Sequence, residues 1–305
     1  MNEPVYDIRF QERNEIDTVK WDHCIQNASN GLIYARSFYL DAMAKNWSAL
    51  VEGDYQNVMP LTWNKKYGFA YLYQPAFTAQ LGVFFTGSED SLILEKFVER
   101  TQMQFKFCEI FLNFANKVPG ATDHDNYVLN LDKTYPEIRN SYKKRLLENL
   151  REAGSYHLNY LDSTDYPGTI HLFKSQYGNR FPHVKRTDYL HFEKLCTELT
   201  RNKMIFARQV KDSSGSLLNS SIFFRDERRI YNIMSVSLPA GREKRAHFFL
   251  LDHLIMEFAK QDLILDLEGS ELPGVAEFYR KFGTVNHPYS FLKYNHLPFP
   301  FRLFK

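Results

Sequence analysis

The chain has 305 residues, 44% of them hydrophobic and 24% charged, which is enough to bury one large core or two ordinary ones and excludes a disordered or fibrous polypeptide. Its 38 basic and 36 acidic residues leave a formal charge of +2, which excludes strong long-range attraction to nucleic acid and leaves open only a local basic site. The N-terminal stretch lacks a signal peptide's basic start and apolar core, and no apolar run approaches the ~20 residues that span a bilayer. The expectation is a cytoplasmic protein without membrane insertion.

Cys24, Cys108 and Cys196 lie far apart with no CxxC pair, so they read as reduced thiols rather than a zinc or redox site. Along the chain, residues 32 to 45 carry apolar positions at helical spacing, with Ser37 placed to cap a helix. Runs rich in β-formers follow at 48–55, 57–63, 69–74 and 80–85, broken by Gly, Asn and Pro, and predict an antiparallel meander. The helical period returns over 89 to 105, then strands over 108–114 and 126–131. At Pro136 a new amphipathic pattern begins and runs to Gly154, which predicts one helix and a domain boundary near residue 132. The second half repeats the order. Helices are expected over 165–178 and 187–201, strands over 203–211, 216–226 and 228–237, a helix over 245–260, a strand over 263–269, a helix over 274–283, and a last strand near 289–295. The prediction is an α/β (α+β) fold with domains 1–131 and 132–305, each a mixed, mostly antiparallel sheet flanked by helices.

The segment from Tyr231 to Gly283 resembles the core of the GNAT acyltransferases. In that family a strand passes through V-x-x-P-x-x-R-G-x-G-x-G into a helix that begins with a Leu-Leu pair; Val236, Pro239, Arg242, Leu250 and Leu251 stand at matching offsets. Glu243, Arg245 and His247 replace the three glycines, whose lack of Cβ lets backbone N–H groups cradle the pyrophosphate of coenzyme A. The resemblance implies acyl-CoA as donor, with Val236 and Ser237 at the strand end. Arg242, Lys244 and Arg245 either hold phosphate through their side chains or form a solvated basic helix start. Residues 278 to 283 resemble the helix end at which the family places its general acid, which implies that Tyr279 protonates a departing thiolate; the alternative is a packing tyrosine. In the strand between, Leu263, Leu265 and Leu267 alternate with Ile264, Asp266 and Glu268, so two carboxylates share a face. Glu268, with Asp266 beside it, acts as base toward an amine or pairs with an arginine.

The tandem arrangement is similar to the FemABX peptidyltransferases and their acetyltransferase-like relatives. Residues 269 to 283 resemble that group's G-x-x-x-F-K-x-x-F-G segment, with Tyr279 in place of its lysine, and Pro60 and Leu61 match a Pro-Leu strand ending in the first half. The loop over 177 to 188 gathers Tyr177, Arg180, His183, Lys185 and Arg186 where those relatives bind the acceptor; it otherwise reads as a solvated loop. No G-x-S-x-G, P-loop or HExxH is present, and His247 and His253 are not spaced for a metal. The resemblance implies transfer of an acyl group from acyl-CoA to the primary amine of a small-molecule or cell-envelope-precursor acceptor, without metal. Two alternatives stay open: a non-catalytic binding module on a degenerate acyltransferase fold, and aminoacyl-tRNA-dependent peptidyl transfer, which would bring in transfer RNA as partner.

Overall fold

A computed structural model describes residues 6–87, 89–269 and 273–304. The chain divides into two compact units, one of residues 1–124 with 288–305 and the other of residues 125–287. Each holds one extended sheet.

In the first unit β1 (Ile8–Glu12) leads to α1 (Thr18–Asn27), whose N-terminal amides of Val19 and Lys20 are capped by the Asp17 carboxylate. The helix expected over 32 to 45 is shorter: α2 spans Ser37–Met43 after a single 3₁₀ turn. Ser37 does not cap it from outside; its amide and hydroxyl donate to Asp22 at 2.7 and 2.6 Å. Then come β2 (Asn46–Glu52), β3 (Asn57–Lys66), β4 (Phe69–Tyr73), the short β5 (Phe84–Phe85), α3 (Ser91–Gln104), β6 (Phe107–Leu112) and β7 (Thr122–His124). The meander β2-β3-β4 is antiparallel, as the turn-punctuated sequence predicts; β1, which it did not predict, joins β2, and of the run expected over 80–85 only β5 forms, paired with β3. Inward residues such as Leu50, Met59, Leu61, Leu72, Ile110 and Leu112 pack with Phe97 of α3 into one core.

In the second unit β8 (Tyr127–Asn130) precedes a broken helical segment, α4 (Tyr135–Arg139) and α5 (Lys144–Gly154). The single helix expected from Pro136 to Gly154 is interrupted because the Lys143 amide donates to the Lys281 carbonyl at 2.9 Å and Ser141 presses on Gly283. A Cβ on Gly283 would lie 2.0 Å from Ser141 Oγ, and the φ of +73° there suits glycine, so a tertiary contact overrides local periodicity. There follow β9 (Asn159–Ser163), α6 (Tyr166–Tyr177), α7 (Arg186–Arg201), β10 (Ile205–Lys211), β11 (Leu217–Arg225), β12 (Arg229–Ser237), α8 (Pro239–Glu243), α9 (Ala246–Phe258), β13 (Ile264–Asp266), α10 (Pro273–Arg280) and β14 (Val285–Asn286). The sheet order is β14-β8-β13-β12-β11-β10-β9, with β12 and β13 parallel. Leu263, Leu265 and Leu267 point together into the core formed with Leu250, Leu251, Leu254 and Phe282, as their alternation predicts.

Two strands lie in a different unit from the one the sequence assigns. β8 joins the second unit's sheet beside β13, so the compact units divide at His124 and Asp125, not at residue 131. The last strand, β15 (Tyr289–Asn295), does not close the second half; it inserts between β6 and β7 of the first unit, antiparallel to both. Pairing partners of this kind are set by tertiary context, which the chain's local pattern does not carry.

The three cysteines are buried free thiols, their acidity suppressed by burial to about 12. No helix among the described residues is long and apolar enough to cross a membrane.

Candidate functional site

The site begins where two parallel strands part. Pairing between β12 and β13 covers only Arg229–Ile264, Ile230–Leu265 and Tyr231–Asp266. β13 then ends while β12 continues to Ser237, paired among the described residues only with β11. That leaves one edge of β12 from Asn232 onward without a strand partner among the described residues, while at its far end the Ser237 amide donates to the Tyr177 hydroxyl at 3.4 Å.

Along this edge the side chains change character. The register sets Ser221 opposite Ser235 and Asn219 opposite Ser237. Because alternate residues share a face, the four make a polar patch on one face of the hairpin. Ser235 Oγ lies 2.8 Å from both Asn232 Oδ1 and Ser221 Oγ, Ser221 Oγ 3.1 Å from Asn219 Oδ1, and Asn219 Nδ2 2.7 Å from Ser237 Oγ. Asn219 and Ser221 are inaccessible to solvent. The run ends on Tyr279 of α10, whose hydroxyl is 3.4 Å from Asn232 Nδ2, a long hydrogen bond.

Tyr279 is 8% exposed, with its ring among Tyr127 and Phe278. Burial is the main reason its pKa is raised, the nearby charge of Glu268 adds to this, and the bond from Asn232 works in the opposite direction. The phenol therefore carries its proton throughout the physiological range, the state an acid or a hydrogen-bond donor requires. Asp266 is committed: its Oδ2 accepts from Arg229 Nη1 at 2.8 Å, and its Oδ1 accepts from the Glu268 amide at 3.0 Å. Of the two roles the alternation allowed for the carboxylates, Asp266 takes the ion pair, with an arginine from the adjoining strand. That second bond holds Glu268 at a φ of +66°, a left-handed conformation rare for a side chain of this size, just past the strand end.

At the other end of β12 the carbonyl of Ser237 accepts from Arg242 Nη1 at 2.7 Å and from the Tyr177 hydroxyl at 3.3 Å. Gly241 permits α8 to close against β11, since a Cβ there would meet the Leu218 carbonyl oxygen at 2.0 Å. Arg245 has a φ of +59°: the backbone keeps the conformation that suits glycine although the side chain is arginine. Its guanidinium pairs with Glu152 at 3.1 Å, and Lys244 pairs with Asp212 at 2.9 Å. Arg242 pairs with no carboxylate among the described residues. The His247 ring stacks on Phe278, 4.7 Å between centroids, with Nε2 shielded from solvent and no partner; burial lowers its pKa to about 4, so the ring is neutral at pH 7.

No family model matches this chain, and no curated protein matches its sequence. Solved structures do. FemX superposes with a TM-score of 0.66 at 13% identity, covering 92% of this chain and 96% of that one. A tandem GNAT protein from the clavulanic acid biosynthesis pathway gives 0.52 at 10% identity over 96% and 99% of the two chains. The C-terminal domain of a putative lysylphosphatidylglycerol synthetase from Agrobacterium fabrum gives 0.52 at 10% identity over 92% and 91%. The fold is the GNAT-like, FemABX-related one. Identities this low speak to fold and not to reaction.

On this GNAT-like framework the structure gathers some expected residues and separates others. Tyr279, Asp266 and Glu268 cluster at the end of β13; Val236 and Ser237 close β12, and Tyr177 and Arg242 meet on the Ser237 carbonyl. Arg180 reaches this group only through the Tyr177 ring, over which its guanidinium sits at 4.9 Å. Lys185 and Arg186 are exposed at the start of α7, and Lys244 and Arg245 are turned to their acidic partners. Ser270 and Glu271, within the glycine-flanked segment that resembles FemABX, lie outside the described residues. Sequence reading missed Asn219, Ser221, Asn232, Ser235 and Arg229 as members of the site. The available signal was the i, i+2 spacing of Asn219 with Ser221 and of Ser235 with Ser237 in strands rich in Ile, Leu, Phe and Met. Among the described residues no group of three or more His, Cys, Asp or Glu side chains is arranged to hold a metal ion.

Proposed function

We propose that this chain transfers an acyl group from an acyl-CoA thioester to the primary amine of a small acceptor or cell-envelope precursor, in the second unit. The observation that carries this reading is the coincidence, on one strand edge, of a stretch beyond Tyr231 without a strand partner among the described residues and a protonated phenol, Tyr279, at the same end. An amide-bearing pantetheine arm suits such an edge, because each peptide group of β12 left without a strand partner would gain one. Arg242, the member of the basic turn without a carboxylate partner, is the residue to meet phosphate, with Val236 and Ser237 forming the floor beside it. The amine attacks the thioester carbonyl, the C–S bond breaks, and the thiolate takes a proton from Tyr279. Glu268 receives the proton that the attacking amine sheds, and Asp266 holds Glu268 in place. Residues Tyr177 and Arg180 line the acceptor side, with Lys185 and Arg186 further out.

Isothermal titration calorimetry with acetyl-CoA and longer acyl-CoAs tests the donor, and Tyr279→Phe tests the acid. Saturable heat, together with a turnover loss of about 10²-fold or more in Tyr279→Phe at unchanged donor affinity, supports the reading. No heat at millimolar acyl-CoA with folded protein would overturn it. A second reading, a non-catalytic module, is favoured by one observation: Lys244 and Arg245 are already neutralised by Asp212 and Glu152. It predicts ligand binding that Tyr279→Phe leaves unchanged, and no turnover.

A further inference from the structure

The polar run behind Tyr279 contains a conflict that the turning of one amide resolves. Three oxygen–oxygen contacts, Asn232–Ser235, Ser235–Ser221 and Ser221–Asn219, are short enough for hydrogen bonds, yet the two serines supply only two protons. Both outer partners are amide oxygens, which only accept. If both serines donate outward, the 2.8 Å contact between Ser235 and Ser221 has no proton in it. Turning Asn232 would remove the conflict by reversing every donor and setting its oxygen on the phenol; the Asn232 nitrogen stays on the phenol, as the structure places it, when it is the Asn219 amide that turns over about its terminal torsion. Its nitrogen then donates to Ser221 and its oxygen accepts from Ser237. Ser221 donates to Ser235, Ser235 to the Asn232 oxygen, and the Asn232 nitrogen to the phenol. Every contact then has one proton and every hydroxyl is used once.

We propose that Ser235 is a positioning residue for Tyr279, acting through Asn232 at the end of a one-way chain of hydrogen bonds that starts at Ser237. Its hydroxyl pins the Asn232 oxygen, which commits the amide nitrogen to the phenol oxygen and turns the phenol's own proton away from the strand. An asparagine free to rotate would do the reverse, since its oxygen draws the phenol proton inward and holds it. Donation into the phenol oxygen also favours the phenolate left once the proton is given up. The charges that face the phenol are Glu268 and Asp266, the latter paired with Arg229, and none of them is altered by changes at Ser235. The consequence for proton transfer rests on the reading of Tyr279 as the acid; the direction of the chain does not.

The test replaces Tyr279 by 3,5-difluorotyrosine, whose more acidic phenol titrates where the protein is folded, and follows ionisation by ¹⁹F NMR in the full-length chain. With Ser235→Ala the phenol pKa rises by about one unit, a tenfold change in its ionisation constant, because Asn232 is released. Ser235→Thr keeps the hydroxyl and titrates as the parent does. Asn232→Asp, which can only accept, raises the pKa further. If Ser235→Ala does not fold, Ser235→Cys, of similar shape and a much weaker donor, takes its place and shifts in the same direction. Parent and Ser235→Ala curves that coincide would overturn the proposal, as would equal shifts in the alanine and threonine variants. The titration needs neither acyl donor nor acceptor, so its failure leaves the acyl-transfer reading standing, and absence of acyl-CoA binding leaves the titration unaffected.

Discussion

Replacing Arg229 by methionine removes the cation paired with Asp266 inside the second unit's sheet. The two side chains are 6% and 3% exposed, so neither can recover its lost partner from water. Breaking a buried ion pair from one side costs about 3–5 kcal/mol, because a charge is left in a medium that solvates it poorly. Arg229 also lies beside Asp226, whose pKa is raised chiefly by burial, so removing the guanidinium strands a second acid. The expected loss is therefore at the upper part of that range for Arg229→Met, and clearly smaller for Arg229→Met combined with Asp266→Leu, in which only Asp226 is left without the guanidinium. Urea unfolding followed by far-UV circular dichroism measures both, with amide exchange of β12 and β13 to localise the change. Tryptophan fluorescence does not serve, since Trp21, Trp47 and Trp63 all belong to the first unit. The deficit of the single variant should shrink as pH falls, because an unpaired buried carboxyl can take up a proton and become neutral. A single-variant loss under about 1 kcal/mol, or a double variant no better than the single one, would refute the picture of Arg229 as the neutralising partner.

His247 and Arg245 give two further tests. The folded pKa of His247 is lowered from 6.5 to about 4 by burial, so between those values the unfolded chain binds a proton that the folded one does not. Stability from this group is complete above pH 6.5 and falls by about 1.4 kcal/mol per unit as pH drops toward 4; His247→Phe should flatten that slope in chemical unfolding measured at a series of pH values, and an unchanged slope would place the acid sensitivity elsewhere. Arg245→Gly should leave the thermal midpoint unchanged or higher. Relief of a left-handed non-glycine residue gains roughly 1 kcal/mol and the half-exposed pair with Glu152 contributes about 0–1; a clear drop in midpoint would show that the ion pair outweighs the backbone.

The sequence carried the elements whose signals are local. The leucines at 263, 265 and 267 could only be one face of a buried strand, and Pro136 and Gly154 bracketed a helical stretch correctly even though it holds a break. That break was illegible because its causes, Lys281 and Gly283, lie more than 130 residues away. The same holds for the site. Tyr279 stood out through its likeness to a known helix ending, and Asp266 through its place on an alternating strand. Its partner Arg229 is set by the parallel register of β12 on β13, a number the chain does not write down. Lys244 and Arg245 looked like phosphate ligands for the same reason that they are attractive partners for Asp212 and Glu152: charge is read from sequence, but the direction in which it points is not.

The placement of β15 has a bearing on how the molecule is made. A sheet whose penultimate strand is supplied by residues 289–295 stays incomplete until synthesis has passed through the whole of the other unit. The enclosed unit, contiguous from 125 to 287, is complete in sequence before β15 is made, whereas the enclosing one must wait with β6 and β7 unjoined. A chain ending between the last residue of that unit, 287, and the first of β15, 289, would thus keep the enclosed unit whole and leave the edges of β6 and β7 unpaired in the other, the kind of surface that recruits chaperones or seeds aggregation.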